Sequence, residues 1–477
     1  MKSVPRSFLK TLPLLAALAL AGCASFSGIA PKATPIAADA AGATAPFEAW
    51  PQAAWWTQYN DAVLNGLIDQ ALAQNLSIQL AQSRLAKAQA AEGVADAALA
   101  PQVGLDVEST RQLFSRNGLY PPPLAGAIYT NSQALLTASY EFDFWGKNRS
   151  ALQAALSKVR AAEAEEQAAR VIVAASVARS YFNLARLLEQ RDVAQATLQQ
   201  REQTLALVKQ RLQAGLDTKV ELRQSEGNLP LARGEAAQID EQVALTRNAL
   251  AALLGRGPDA TRDLAPRIAQ STEPTLPTAI PVDLLARRAD ISAAKARVQA
   301  ALGDIDVAKA QFYPNINLTA FAGFTSIGLS RWFESGSQTY GVGPALRLPI
   351  FEAGRLRANL KVSTADFDAA VQSYNQAVLD DARDVADQVA SLQSQKVQAR
   401  EQRDAQTAAE AAYDLALQRY KAGLSTYLTV LTAENAVLAQ RSAATDLKAR
   451  ALELSVGLNR ALGGGYAEPA AQLSQAR

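Results

Sequence analysis

The chain has 477 residues, of which 49% are hydrophobic, so its length suits several domains and its composition excludes a polytopic helical membrane protein. It contains no histidine and a single cysteine, so it lacks the residues needed for histidine acid–base catalysis and for Cys/His metal clusters. The 47 basic and 45 acidic side chains nearly cancel, which argues against nucleic acid as a partner. We therefore expect no catalytic residues, no metal site and no cofactor.

The first 22 residues are typical of a lipoprotein signal peptide. Basic residues precede the apolar run 12–21, which is too short to span a bilayer as a mature helix. Leu-Ala-Gly-Cys at 20–23 resembles a bacterial lipobox, which predicts cleavage before Cys23 and acylation of its thiol. The alternative is an ordinary signal peptide with an incidental cysteine. Because Ala24 replaces the Asp that favours inner-membrane retention, we expect a lipid-anchored segment over 23–66 at the outer membrane.

One structural unit occurs twice in the sequence. Gln-Ala-Gly-Leu-Asp-Thr at 213–218 recurs as Lys-Ala-Gly-Leu-Ser-Thr at 421–426. Prolines concentrated between the two copies exclude a long helix there. The predicted divisions are a first repeat over 67–255, a Pro-rich connector over 256–281, a second repeat over 282–463 and a C-terminal tail over 464–477.

Each repeat has the same predicted order of helix, β-hairpin, very long helix, turn and helix. Strands are predicted where apolar residues alternate with polar ones, and helices where apolar residues recur every three or four positions. In the first repeat the predicted elements are a helix over 67–99, a hairpin over 101–145 and helices over 146–214 and 218–254. In the second repeat they are a helix over 282–311, a hairpin over 315–351 and helices over 355–422 and 426–462.

The predicted strands have the length needed to cross a bilayer, and long loops over 111–132 and 326–339 join them. The alternative is the edge of a soluble sandwich. Four strands cannot close a barrel, whereas three chains would supply twelve and leave room for a lumen. Alternation predicts one set of side chains facing lipid and another facing the lumen. The first set is Tyr140, Phe142, Phe144, Leu346 and Leu348, and the second is Glu141, Asp143 and Arg347.

The long helices are predicted to pack as coiled coils. A helix of about 68 residues extends roughly 100 Å, and the two shorter helices of each repeat together match that length. The predicted fold class is therefore an α+β membrane protein, in which a helical tunnel continues into a β-barrel.

Several motifs resemble those of a known family. They are Pro-Val-Asp-Leu-Leu-Ala-Arg-Arg-Ala-Asp-Ile at 281–291, Phe-Tyr-Pro at 312–314, Phe-Glu-Ala-Gly-Arg at 351–355 and Arg-Tyr-Lys-Ala-Gly at 419–423. Together they resemble the outer membrane efflux lipoproteins, the NodT-type, TolC-like outer membrane factors of tripartite exporters. The chain departs from the family pattern at Ala289, where Pro is usual, and at Ser425, where Asp is frequent.

The resemblance implies a homotrimer with a twelve-stranded barrel in the Gram-negative outer membrane and a twelve-helix periplasmic tunnel. Such a channel passively conducts drugs and toxic small molecules from an inner-membrane pump, commonly of the resistance-nodulation-division class, through a periplasmic adaptor. Type I protein secretion, a periplasmic adaptor and a structural lipoprotein are the alternatives. An adaptor carries one helical hairpin and not a duplicated pair. The carboxylates of Asp380, Asp381, Asp384 and Asp387 suggest a cluster, but on exposed helices such groups are usually solvated or paired.

The two turns between helices carry the candidate site. Gly215 and Gly423 suit left-handed helix caps, Thr218 with Glu221 fits a capping box, and Ser425 or Thr426 can cap the last helix. Beyond helix capping, the resemblance implies that these turns bind the adaptor and form the gate of the channel. The residues assigned to them are Gly215, Leu216, Asp217, Thr218, Gly423, Leu424, Ser425, Thr426, Arg419, Tyr413 and Tyr420. Because the second turn lacks an acid, we expect closure mainly by packing around Leu424 and by polar contacts of Arg419, Tyr413 and Tyr420. We also expect weak block by divalent cations.

Overall fold

The computed structural model describes residues 26–36, 52–268 and 288–466. The elements of the first half are α1 (Ala62–Gln74), α2 (Leu76–Ala97), β1 (Gln102–Leu113), β2 (Ile128–Glu141), α3 (Lys147–Gln213) and α4 (Lys219–Leu253). Those of the second half are α5 (Ala289–Ala310), β3 (Asn315–Ile327), β4 (Gln338–Arg347), α6 (Arg355–Lys421) and α7 (Tyr427–Ala461). The order of elements in the described residues follows the predicted order in both halves.

The first predicted helix differs from the observed structure. It begins before residue 67, because Asp61 accepts hydrogen bonds from the amides of Val63 and Leu64 and caps α1. It is also divided in two at Asn75, whose side chain accepts from the amide of Ser77 and donates to the carbonyl oxygen of Leu253. The predicted limit at residue 66 and the single helix over 67–99 are therefore wrong in these details.

The four strands form one antiparallel sheet in the order β1-β2-β3-β4. Both hairpin loops are shorter than predicted. In the first, β1 continues to Leu113 and β2 already begins at Ile128, and in the second, β3 continues to Ile327 and β4 begins at Gln338. Within the described chain, β1 and β4 each pair on one side only. The sheet therefore has two open edges.

The register gives the sheet one apolar and one polar face. Residues paired across the strands point to the same side, so the pairs Tyr140–Leu318 and Ile316–Leu346 belong to one face and Glu141–Asn317 to the other. The apolar face includes Val103, Leu105, Val107, Leu136, Tyr140, Ile316, Leu318, Val342 and Leu346. The polar face includes Asp106, Glu108, Gln133, Thr137, Ser139, Glu141, Asn317, Thr319 and Arg347.

The chain divides into two compact units, and α3 and α6 contribute residues to both. The described residues of the first unit are 26–35, Arg84–Ala162 and Ala293–Asn375. It contains the sheet and a small core in which Phe26 packs edge-on against Phe312, with ring centroids 5.1 Å apart.

The described residues of the second unit are 36, 52–83, 163–268, 288–292 and 376–466. Its main core surrounds the short helical turn Trp55–Tyr59 and contains Ile68, Phe182 and Leu250. Among the described residues, one stretch of α3 is long and apolar enough to cross a membrane, but 61% of it is buried inside the chain. We therefore assign it to the protein core.

Candidate functional site

The turns α3–α4 and α6–α7 have the same backbone construction. Gly215 and Gly423 adopt φ values of +71° and +78°, a left-handed conformation that glycine reaches without strain. The amide of Leu216 donates to the carbonyl oxygen of Arg211 at 2.9 Å, and that of Leu424 donates to Arg419 at 2.8 Å. This is the hydrogen-bond pattern of a Schellman helix end. The predicted glycine caps are confirmed.

The helices that follow the turns begin differently. Thr218 and Glu221 form the predicted capping box, in which the Thr218 amide donates to Glu221 Oε2 at 2.9 Å. At the start of α7, Thr426 makes no capping hydrogen bond with its side chain. The Ser425 hydroxyl instead donates to the carbonyl oxygen of Ala416 at 3.4 Å. The expected side-chain cap of α7 is therefore wrong.

Asp217 is held inside its own chain. Its carboxylate lies 3.1 Å from Nε of Arg211 and accepts a hydrogen bond from the hydroxyl of Tyr420. The Arg211 guanidinium also lies 4.4 Å from the centre of the Tyr420 ring and donates to the Tyr420 carbonyl oxygen at 2.8 Å. Only 7% of the Asp217 side chain is exposed. The contacts join the end of α3, the first turn and the end of α6.

Burial raises the pKa of Tyr420 well above its ordinary value of 10.0, and the neighbouring Asp217 carboxylate raises it further. The Tyr420 hydroxyl is therefore a neutral hydrogen-bond donor at every physiological pH. Burial likewise raises the pKa of Tyr413, with a further contribution from Glu434. Neither tyrosine can release the contacts at the turns by losing its proton.

The structure divides the predicted site residues into two groups. Tyr420 is buried with Val208, Tyr427 and Val430, and Tyr413 packs against this cluster. Leu216 and Leu424 are 64% and 69% exposed at the two turns, and the Arg419 side chain is also exposed. Asp217 and Tyr420 are in direct contact, whereas both leucines lie on the surface of the chain.

Arg211 is a residue of this site that sequence reasoning missed. It occupies the last turn of α3, and the tight Gly215 turn brings Asp217 back to it. A basic residue in the last helical turn, followed by an acid just beyond a glycine cap, is the signal that would have found it.

Three of the predicted lipid-facing residues, Tyr140, Phe142 and Phe144, form an aromatic strip at the end of β2. The ring centroids of Tyr140 and Phe142 are 5.1 Å apart, and those of Phe142 and Phe144 are 5.7 Å apart. Leu346 on β4 is well exposed, and Leu348 follows that strand. Asp143, predicted to face the lumen, accepts hydrogen bonds from the amides at the start of α3. The orientation of the Asp143 side chain towards the lumen stays a prediction.

The predicted lipidation site Cys23 and the signal peptide lie outside the described residues. The same holds for residues 269–287, which include much of the predicted connector, and for residues 467–477 of the predicted tail.

Comparison with known proteins identifies the family to which this chain belongs. The profile of the outer membrane efflux protein family matches residues 67–256 and 280–464. The multidrug resistance outer membrane protein MdtQ of Escherichia coli O157:H7 is 33% identical over 466 residues, covering 95% of this chain and 97% of MdtQ. The chain therefore belongs to the outer membrane efflux protein family.

Solved structures agree with this assignment. The outer membrane protein VceC of Vibrio cholerae is similar with a TM-score of 0.82 and 38% identity, covering 87% of this chain and all of VceC. The open state of the outer membrane channel MtrE of Neisseria gonorrhoeae has a TM-score of 0.78 and 28% identity, covering 92% of this chain and 97% of MtrE. The fold is that of an α+β outer membrane efflux channel with long helices.

Proposed function

We propose that this chain is the outer membrane channel of a tripartite system that exports drugs and toxic small molecules. Its location in the outer membrane and its role in efflux follow from the family. The relative MdtQ is named for multidrug resistance, which supports drugs as the cargo. An inner-membrane pump, commonly of the resistance-nodulation-division class, and a periplasmic adaptor supply the cargo and the energy.

The open-edged sheet is the observation that carries the proposal. Its strands contain 12, 14, 13 and 10 residues, enough to cross a bilayer when tilted. Unpaired strand edges cost several kcal/mol per group in hydrocarbon, so β1 and β4 require partners. Because an even number of antiparallel strands leaves β1 and β4 opposed in direction, β1 of one copy can pair antiparallel with β4 of the next. Three copies give twelve strands around a polar lumen.

The proposed role as a channel requires no catalytic residue in this chain. Two of the four carboxylates that suggested a cluster are in ion pairs: Asp380 with Arg383 at 3.4 Å, and Asp384 with Arg460 at 2.7 Å. These contacts support a structural role for the acidic residues of α6. The outer membrane component acts as a conduit, with Cys23 acylated and inserted in the lipid.

The turns between helices are the proposed gate and docking surface. In each copy, Asp217, Arg211 and Tyr420 hold the two turns together, which favours a closed end. The exposed Leu216 and Leu424 project from the turns and are available to the adaptor. The existence of an open state in the related MtrE supports a gate that can release.

Complementation in cells tests this function. The intact gene should restore drug resistance to a Gram-negative strain that lacks its own outer membrane efflux channels, provided that the cognate pump and adaptor are coexpressed. The same cells without the pump should stay sensitive, because the channel supplies no energy. Secretion of a protein substrate without drug efflux would favour type I secretion. Resistance that needs a different outer membrane channel would indicate an adaptor and contradict the proposal.

A further inference from the structure

The apolar face of the sheet carries one charged side chain. Within the four strands, all of which the structure describes, the residues of this face are uncharged except Arg111. The register places Arg111 there, because it follows Leu105 and Val107 in even steps along β1. Leu113, paired with Ile128, continues the apolar face beyond it. A single cation therefore interrupts a surface that is otherwise free of charge.

Arg111 lies near the end of the sheet that carries the hairpin loops. β1 begins at Gln102, next to the helices, and ends at Leu113. From Val103 to Arg111 a strand rises about 27 Å, which is about 20 Å along the bilayer normal at a tilt of about 40°. The apolar band of an outer membrane barrel is about 25 Å tall. Because the helical domain is periplasmic in this family, Arg111 lies near the outer boundary of that band.

The loop between β3 and β4, residues 328–337, starts beside Arg111. The amide of Gly328 donates to the carbonyl oxygen of Thr130 at 2.7 Å. Thr130 is the partner of Arg111 in the register of β1 and β2. One strand therefore separates Arg111 from the start of the loop, which corresponds to about 10 Å across the sheet.

Two aromatic rings of this loop lie on the apolar face. Phe324 belongs to that face, because it pairs with Ala134, which itself pairs with Val107. Phe333 packs edge-on against Phe324 with ring centroids 5.4 Å apart, and Trp332 stacks on Phe333 at 5.3 Å. Phe333 is 72% exposed. Exposed aromatic rings at the end of an apolar band are typical of side chains that enter the membrane interface.

A second cation, Arg331, directly precedes the two rings. The hydroxyl of Ser337 donates to the carbonyl oxygen of Arg331 at 2.7 Å, and the amide of Ser337 donates to that of Glu334 at 3.0 Å. The loop is therefore held in shape by its own hydrogen bonds. The side chains of Arg331 and Arg111 are both exposed. Within the described part of the chain neither of them forms an ion pair, and the nearby Glu334 does not pair with Arg331.

The combination of cations and rings indicates the chemistry of the missing partner. A charge on a lipid-facing surface is costly unless an opposite charge meets it. The planar guanidinium group of arginine matches the oxygens of a phosphate with two parallel hydrogen bonds. The outer leaflet of a Gram-negative outer membrane consists mainly of lipopolysaccharide, whose lipid A joins a phosphorylated sugar headgroup to several acyl chains. Its phosphates suit the arginines, and its acyl chains suit the rings.

We propose that Arg111, Arg331, Trp332 and Phe333 form a binding site for the phosphorylated headgroup of lipid A in the outer leaflet. The inference rests on the proposed function, because it requires the apolar face of the sheet to face lipid. It adds a specific lipid ligand to the outer rim of the proposed barrel.

Thermal unfolding of the full-length protein in lipid nanodiscs tests the site. One bilayer contains phosphatidylcholine alone, and the other contains phosphatidylcholine with bisphosphorylated lipid A. A ligand that binds the folded protein raises its unfolding midpoint, so lipid A should stabilise the wild type. The double variant Arg111→Gln, Arg331→Gln should lose most of that shift. Native mass spectrometry should show about tenfold weaker binding of lipid A, equivalent to about 1.4 kcal/mol.

Two further comparisons separate lipid binding from a structural role. In phosphatidylcholine alone, Arg111→Gln should be at least as stable as the wild type, because it removes a charge from the lipid-facing surface. Arg347→Gln is the matched control. Arg347 is also exposed, but it lies on the polar face at the opposite end of the sheet. This variant should keep the full response to lipid A.

The outcomes distinguish this site from the proposed function. An equal response to lipid A in the wild type and the double variant overturns the site. An equal stabilisation of the wild type by phosphatidylglycerol, or by lipid A without its phosphates, also overturns it. A double variant that is destabilised in phosphatidylcholine alone would assign the arginines to the fold and reject the site. If the wild type inserts into neither bilayer, the proposed channel fails, whereas insertion without any effect of lipid A rejects the site alone.

Discussion

At the scale of single residues, the proposed gate contains charges that are neutralised within one chain. Asp217 is the acid of the first turn, and a free carboxylate there would give a ring of like charges in a trimer. Its pairing with Arg211 and its contact with Tyr420 leave little free charge at that position. This geometry agrees with the expectation of weak block by divalent cations.

Tyr420→Phe tests the contact at the turns. The substitution removes one hydroxyl and leaves the ring over Arg211, so it deletes the hydrogen bond to Asp217. Hydrogen bonds to charged groups contribute about 1.5–3 kcal/mol, so the closed state should weaken by that order. We expect higher conductance in bilayers and greater sensitivity of cells to large antibiotics. Tyr340→Phe, at an exposed strand position, is the control and should change neither.

Arg288, in the motif at 281–291, lies at the centre of a cluster of charged side chains. Its guanidinium binds Asp290 through Nε at 3.1 Å and Nη2 at 2.7 Å, and donates to the carbonyl oxygen of Ala461 at 2.6 Å. Asp381 approaches the same guanidinium at 2.8 Å. The motif that resembled the family therefore joins the start of α5, the middle of α6 and the end of α7.

The stability of this cluster should depend on pH through Asp381. Burial raises the pKa of Asp381 to about 7, with Asp290 and Asp384 adding to the rise and Arg288 and Arg460 opposing it. The protonated carboxyl stabilises the fold below its ordinary pKa, and this contribution is lost as the pH rises through about 7. Asp381→Asn should therefore gain stability over the wild type with rising pH, by at most about 1.4 kcal/mol per pH unit.

Thermal unfolding midpoints of the two proteins between mildly acidic and mildly alkaline pH provide the measurement. A constant difference across that range would contradict the assignment of the raised pKa to Asp381. Asp387→Asn, at an exposed position on the same helix, serves as the control and should give parallel curves.

At the scale of elements, the two faces of the sheet should differ in how much a charged substitution destabilises the protein. Leu136 lies within β2 on the apolar face, and Thr137 follows it on the polar face. Leu136→Arg should cost about 2–4 kcal/mol near the bilayer midplane, whereas Thr137→Arg projects into the lumen and should be tolerated. Phe142→Arg should cost less than Leu136→Arg, because Phe142 follows the end of β2.

The unfolding free energies of these three variants in lipid check the facing of the sheet. Equal costs for Leu136→Arg and Thr137→Arg would reject the lipid and lumen assignments. A larger cost for Thr137→Arg would show that the two faces are exchanged.

Local patterns in the sequence predicted the elements of this fold well. Alternation predicted the strands, and the glycine turns predicted where α3 and α6 end. The break at Asn75 was missed because its cause is partly distant: the Asn75 side chain binds the end of α4. The same limit applies to the site. Asp217 and Tyr420 are far apart in sequence, and no local period brings them together.

At the scale of the whole molecule, we expect the proposed lipid anchor and the proposed barrel to be two independent attachments to the membrane. Cys23→Ser should abolish acyl labelling and signal processing by the lipoprotein pathway, and it should reduce the amount of protein in the outer membrane fraction. The strands still favour the bilayer, so part of the protein should remain there. Metabolic labelling with a palmitate analogue gives the measurement. Absence of label on the wild type would contradict lipidation.

Closure of the sheet by other copies is the central claim for the assembled molecule. A chain with two open strand edges and an apolar sheet face is incomplete in a membrane, and three copies supply the twelve strands that leave room for a lumen. The helices of the same three copies would surround one tunnel.

Electron cryo-microscopy of the full-length protein in lipid nanodiscs tests this claim most directly. The account predicts three copies around one axis, with β1 of each copy hydrogen-bonded antiparallel to β4 of its neighbour in a closed barrel. A dimer, or a particle in which β1 and β4 remain unpaired, would contradict it.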